Sequence, residues 1–234
     1  MAQLPVALAV MTAGELRMEC AEGIGKCIAN STIAQTWFTQ SGPYLDNGRN
    51  NVVKTFNDPR VRERCTHLLM VDSDIGFTPE DVREIYEACE ERAVVSAVYY
   101  SAWENIAKPV VYDWTTNELG LKTLDVINEW PDGWSFWNQK PNRDGLEPII
   151  RVQAAGAGFM MIRYEVIDVL AEVYGDPQPW FSEPCIDGIH YGEDLAFCLR
   201  VQESGFGVWA HRGVEVTHFK NTMIGPAPGS RVAP

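Results

Sequence analysis

The sequence predicts an α/β fold: one domain whose mixed, mostly parallel sheet is flanked by helices. Apolar runs suited to strands buried on both faces recur at 4–11, 65–72 and 93–100. Segments with helical apolar spacing alternate with them, which is the pattern of a parallel sheet crossed by helices. The length of 234 residues suits one large α/β domain, and no repeat or linker divides it.

The elements follow in order. "LPVALAVM" is a first buried strand, and a mixed helical segment runs to about Ser31. "TIAQTWF" has strand residues, "SGPYLDNG" has turn chemistry, and "RNNVVKTFNDP" makes a short helix closed by Pro59. "CTHLLMVD" is the next buried strand. Thr78 then caps a helix with Pro79 in the first position and Asp81 closing a capping box. Val82, Ile85, Tyr86 and Cys89 form its sheet-facing side. "AVVSAVYY" is another strand. From 101 to 148 the pattern turns irregular, with Trp103, Trp114, Trp130, Trp134 and Trp137 among prolines and glycines. Order resumes at 149 with a strand, a glycine-rich break, a strand and a helix. "YGEDLAFCLRVQESG" is a helix with Leu195, Cys198 and Leu199 inward and Gly205 as its stop. "GVEVTHF" is the last strand. The domain spans 1–225, and 226–234 is a flexible tail.

Composition narrows the function. A net charge of −13 opposes a surface built to wrap duplex phosphates, although a local basic cleft stays open. Six cysteines without a CxxC pair read as free buried thiols in a reducing cytosol rather than disulfides or a zinc site. "MAQLPVALAVMT" lacks a basic start and reads as a strand, and no run approaches the roughly 20 apolar residues of a membrane span. The expected location is the cytoplasm.

Four motifs carry candidate chemistry. Asp72 and Asp74 end a buried strand at i and i+2, and can converge only if the strand stops between them, a bend Gly76 permits. Strand C-termini are where open α/β sheets bind ligands, and converging carboxylates suit magnesium or manganese; a polar turn is the plainer alternative. A calcium loop is excluded, since Phe77 and Arg83 stand where its glycine and glutamate belong. A response-regulator-like acidic pocket fits neither the chain length nor the later sequence. "GED" places Glu193 and Asp194 at a helix start, where they either complement the dipole or supply a general base. "AAGAGFMMI", with Gly156 and Gly158, is a floor under a ligand or a tight strand entry. His218 closes a metal shell or is structural. The tryptophans offer faces for sugars or bases, or pin a surface loop.

Taken in order, "DNGRNNVVKTF", "THLLMVDSDIGFTPEDV", "VVSAVYY", "AAGAGFMMI" and "YGEDLAFCLRVQESGFGVWAHRGVEVTHF" resemble the GT-A glycosyltransferases, near family 2 and stand-alone phage or bacterial enzymes. The resemblance covers most of residues 4–220 and implies a Rossmann-like domain binding a nucleotide-sugar and a divalent ion, Mn2+ or Mg2+. It implies Asp74 as direct metal ligand and Asp72 at the ion or ribose. His218 completes the metal shell, although "THFK" lacks the glycine or second histidine that related chains carry nearby. Asp194 is the catalytic base with Glu193 beside it, and Arg49 and Asn50 lie near the nucleotide. The expected reaction is inverting sugar transfer to a hydroxyl of a protein or glycan. A modified DNA base as acceptor and a non-catalytic nucleotide- or sugar-binding module are the alternatives.

Overall fold

The computed structural model of the protein describes residues 2–42, 44–103, 106–118, 120, 122–127, 148–175, 179–186, 188–214, 216–219 and 223–224. In chain order the first elements are β1 (Leu4–Thr12), α1 (Met18–Ala29), β2 (Ile33–Gln40), α2 (Leu45–Phe56) and α3 (Pro59–Arg62). Next come β3 (His67–Asp72), β4 (Ile75–Gly76), α4 (Pro79–Glu91) and β5 (Val94–Ala97). Two hairpins follow: β6 (Tyr100–Trp103) with β7 (Ile106–Pro109), and β8 (Val111–Thr116) with β9 (Lys122–Val126). The second half holds β10 (Ile149–Val152), β11 (Ala154–Ala155), β12 (Phe159–Arg163) and α5 (Tyr164–Tyr174). After a small ribbon of β13 (Cys185–Ile186) and β14 (Ile189–His190) come α6 (Glu193–Glu203), β15 (Val208–His211), β16 (Thr217–Phe219) and β17 (Met223–Ile224).

The central sheet has seven strands in the order β10-β15-β5-β12-β3-β1-β2. Strands β2, β1, β3, β5 and β15 point one way, and β12 and β10 run against them. The period of two along β1 sorts the core. Ala7, Ala9 and Met11 face Val52, Phe56, Ile167 and Phe197 from α2, α5 and α6. Val6, Leu8 and Val10 face Ile24, Cys27, Val82 and Ile85 from α1 and α4. Both faces are covered, so a continuous apolar run is what β1 requires, and burying each large side chain is worth about 1.5–3 kcal/mol. The mixed α/β class is as expected.

Topology then places the site. The chain steps from β1 to β2 on one side and returns to β3 on the other, which opens a crevice at the C-terminal ends of β1 and β3. Because β12 runs against β3, its first residue, Phe159, lies beside Val71. The glycines before it therefore meet Asp72, whose N–H donates to the Gly158 carbonyl at 2.9 Å. Helix α6 leads back to β15, so its N-terminus lies at the same end of the sheet.

Helix α4 starts as its sequence requires. The Thr78 hydroxyl accepts from the Asp81 N–H at 3.3 Å, and Asp81 accepts from the Thr78 N–H at 2.7 Å. Elsewhere the structure departs from the expectations. Leu45–Gly48 is the first turn of α2 rather than a loop. Its glycine is a packing choice: a Cβ on Gly48 would stand 2.8 Å from the Ser41 Cα and 2.7 Å from the Met11 Cε. In and beside the stretch read as irregular, strands β6 to β9 form the two hairpins; residues 128–147, with Trp130, Trp134 and Trp137, and the tail from 225 lie outside the described residues.

Strand β15 is absent from the sequence reading, because Trp209 and His211 interrupt its apolar run. Helix α6 buries Ala196, Phe197, Cys198 and Val201, leaving Leu195 and Leu199 half-buried. Its inward face is turned by about one residue from the expected one. All six cysteines are free thiols, and Cys185 is exposed rather than buried. Among the described residues no helix is long and apolar enough to cross a membrane.

Candidate functional site

A cavity of about 520 Å³ opens where the crevice meets the hairpins. Arg49, Asp72, Tyr99, Glu193, Asp194 and His218 line its sheet side. Ser101, Lys108, Tyr112 and Asp125 come from the hairpin side. Five of the sequence candidates thus meet at one place, although they come from α2, β3, α6 and β16.

Asp194 is half-buried in the first turn of α6, and its Oδ1 accepts the Leu195 N–H at 2.8 Å. Burial, then the adjacent Glu193, pushes its carboxyl up to about 6, against the opposing pull of Arg49. A carboxylate titrating there is matched to taking a proton near neutral pH. Glu193 differs: it is buried, and its Oε1 accepts from Arg49 Nε at 3.0 Å. Of the two acids in the motif, Glu193 is the one tied into an ion pair.

Arg49 and Asn50 both make extensive hydrogen bonds within the protein. Arg49 is 3% exposed, and its guanidinium also donates to the Ala157 carbonyl at 3.2 Å and to Asp72 Oδ1 at 3.3 Å. Burial disfavours its charge, yet Asp72, Glu193 and Asp194 outweigh that and hold it protonated. Asn50 is consumed by the fold. Its amide donates to the Asp46 and Phe181 carbonyls at 2.8 Å, and its oxygen accepts from the Phe181 N–H at 3.2 Å. Arg49 still lines the cavity, whereas the side-chain polar atoms of Asn50 are engaged within the protein.

The glycines face the protein's own phenol. A Cβ on Gly156 would overlap the Tyr99 hydroxyl and lie 2.5 Å from Val110 Cγ1. One on Gly158 would stand 2.8 Å from the Tyr99 hydroxyl and 3.1 Å from Asp72 Oδ2. The Gly158 N–H donates to the Tyr99 oxygen at 3.0 Å. The space expected beneath a ligand is filled by Tyr99, whose pKa burial and then Asp72 push well up. Tyr99 is the residue the sequence reading missed, although its place at the end of "AVVSAVYY" puts an aromatic at a strand C-terminus.

Asp74 and His218 meet as the late histidine suggested. Strand β16 pairs antiparallel with β4, with His218 opposite Ile75, and the Phe219 N–H donates to the Asp74 carbonyl at 2.7 Å. His218 Nε2 then lies 3.3 Å from Asp74 Oδ2. Its Nδ1 lies 2.7 Å from the Tyr100 carbonyl, which can only accept, so Nδ1 carries the proton. A histidine whose Nδ1–H is given to a backbone carbonyl presents Nε2 as its acceptor nitrogen. The donor set of Asp74, His218 and Asp72 Oδ2 fits a hard divalent cation in its chemistry. It is not a ready-made shell: among the described residues no three His, Cys, Asp or Glu side chains are gathered to hold an ion. Asp72 is turned toward Arg49, and Asp74 is not among the side chains lining the cavity.

Of the tryptophans, Trp114 carries the Lys122 ammonium 4.5 Å from its ring centre, a contact within its own hairpin.

No protein-family model matches this chain, and no curated protein does. Solved structures do. The crystal structure of A197 from STIV aligns over 97% of this chain and 91% of that one, with a TM-score of 0.59 at 15% identity. GalNAc-T7, solved with UDP, GalNAc and Mn2+, aligns over 93% of this chain with a TM-score of 0.58 at 9% identity. This chain spans only 44% of that one. At such identities the likeness carries the fold alone, and that fold is GT-A-like.

Proposed function

We propose that the protein is a metal-assisted, inverting glycosyltransferase that moves a sugar from a nucleotide-sugar to a hydroxyl of a protein or glycan. The observation that carries this reading is Asp194: a carboxyl held near neutral titration at a helix start, lining the same cavity as Asp72 at the end of β3. The GT-A-like fold, and the UDP and Mn2+ held by GalNAc-T7, support it.

In this reading Asp194 takes the proton of the incoming hydroxyl as its oxygen attacks the anomeric carbon. The diphosphate leaves from the opposite face, so the configuration inverts. Asp74 and His218, with Asp72, would hold Mn2+ or Mg2+, which when bound neutralises charge growing on the departing diphosphate. Glu193 and Arg49 keep the carboxylates in place. The cavity lining carries Asp72, Asp125, Glu193 and Asp194 beside Arg49 and Lys108. The net charge of −13 opposes wide contact with a phosphate backbone and favours a protein or glycan hydroxyl over a base in DNA.

The test is thermal stabilisation by a panel of nucleotide-sugars, with and without Mn2+. The reading expects at least one donor to raise the melting temperature in a Mn2+-dependent manner. Asp74→Ala should abolish that dependence. No stabilisation by any donor, or equal stabilisation in Asp74→Ala, rejects it.

A further inference from the structure

The buried guanidinium of Arg49 is a junction of four separate segments. It is carried by α2, and each of its three donors serves a different partner: Nε the carboxylate of Glu193 at the start of α6, one terminal nitrogen the Ala157 carbonyl before β12, the other Asp72 at the end of β3. These segments are far apart in sequence, from position 49 to 193. A planar fork can hold three acceptors at fixed mutual angles, whereas an ammonium presents only a point charge. The Arg49 side chain is 4% exposed, so little of it is open to the cavity it lines.

We infer that Arg49 is a positioning residue for sugar transfer: it locks Asp72, the glycine segment and the first turn of α6 into one frame, and its role is not to hold the donor. This rests on the transferase reading and deepens it. Asp194 follows Glu193 directly, so the Arg49–Glu193 ion pair sets where the base points. The Arg49–Ala157 bond fixes the backbone next to Gly158, which in turn accepts the Asp72 N–H. Displacing a catalytic group by about 1 Å is enough to cost on the order of 100-fold in rate.

The experiment compares Arg49→Lys and Arg49→Met with the unmodified protein, and uses Glu193→Gln as a second probe of the same junction. Arg49→Lys keeps the charge, and Glu193→Gln keeps a hydrogen-bond acceptor, so folding does not hang on one variant. Three quantities are read: donor dissociation constant with Mn2+, kcat, and amide hydrogen exchange at 156–158 and 193–196. Arg49→Lys is expected to lose about 100-fold in kcat while donor affinity stays within about threefold, because charge without the fork does not restore geometry. Exchange at both segments should rise in Arg49→Lys, and Glu193→Gln should raise it at 193–196 alone. A loss of donor affinity as large as the loss in kcat overturns the inference in favour of direct donor contact. Full activity in Arg49→Lys, or unchanged exchange at both segments, overturns it as well. A lack of turnover in the unmodified protein rejects the transferase reading instead, and the exchange measurement still decides whether the frame exists.

Discussion

In the proposed mechanism Asp194 links stability to activity, and replacing it separates the two. Its carboxyl titrates at about 6 in the folded protein against an ordinary 3.8, so the folded state binds a proton more tightly than the unfolded chain. The sign follows from linkage. Below pH 3.8 the group is protonated in both states and costs nothing; as pH rises through 6, the folded state bears an ionised, desolvated carboxylate beside Glu193 and stability falls. A difference of about two pH units corresponds to about 3 kcal/mol at most. Solvent reaching a half-buried side chain reduces this to about 1–3 kcal/mol. Asn at 194 keeps an oxygen for the Leu195 N–H and removes the charge. Asp194→Asn should therefore be more stable at pH 7.5 by about 1–3 kcal/mol, or about 2–12 °C in melting temperature for a domain of this size. At pH 4 the two proteins should be nearly equal. Denaturant unfolding in metal-free buffer at both values measures this, and transfer assays on the same samples should show a loss of about 10²–10⁴. An unchanged stability at pH 7.5, or the same gain at pH 4, would refute the reasoning about Asp194.

The glycine packing makes a separate prediction: Gly156→Ala forces a methyl onto Tyr99 and Val110 and should cost about 1–3 kcal/mol, read by denaturant unfolding. Its control is Gly25→Ala on an open face of α1, where nothing lies within 4 Å of the added carbon, and this should gain about 0.5–1 kcal/mol. Burial holds His67 and His211 down at about 4, so their stabilising contribution is complete above pH 6.5 and lost as pH falls toward 4. Proton NMR should find both rings neutral at pH 6; a midpoint near 6.5 for either would contradict their burial. Asp74→Ala should lose Mn2+-dependent nucleotide binding while retaining its fold, checked by calorimetry alongside circular dichroism.

Much of this was legible in the sequence where one cause acts locally. The β1 run, the Thr78–Asp81 box and the Asp72 strand end each follow from neighbouring residues, and each lies where periodicity and capping put it. The meeting of Asp72, Asp194 and His218 at one cavity was implied by the GT-A resemblance, since each motif alone left a plainer structural alternative. What escaped depends on contacts between distant segments. Gly48 looks like a turn residue until Ser41 and Met11 press on it. Arg49 looks like a ligand contact until Glu193, 144 positions away, claims it. Gly156 and Gly158 look like room for a substrate until Tyr99 fills that room. Strand β15 escaped for a different reason, since it is short and carries Trp209 and His211 among its apolar residues.

The central claim is that a sugar leaves its nucleotide in this cavity and that Asp194 activates the acceptor. Incubating the protein and Mn2+ with nucleotide-sugars labelled in the sugar, and with a mixture of protein, glycan and hydroxymethylated DNA acceptors, tests it most directly. The account predicts label in the protein or glycan fraction, with the anomeric configuration inverted, and on the order of 10²–10⁴ less of it with Asp194→Asn. Label transferred undiminished by Asp194→Asn, a product that retains the donor configuration, or no transfer from any donor would contradict it.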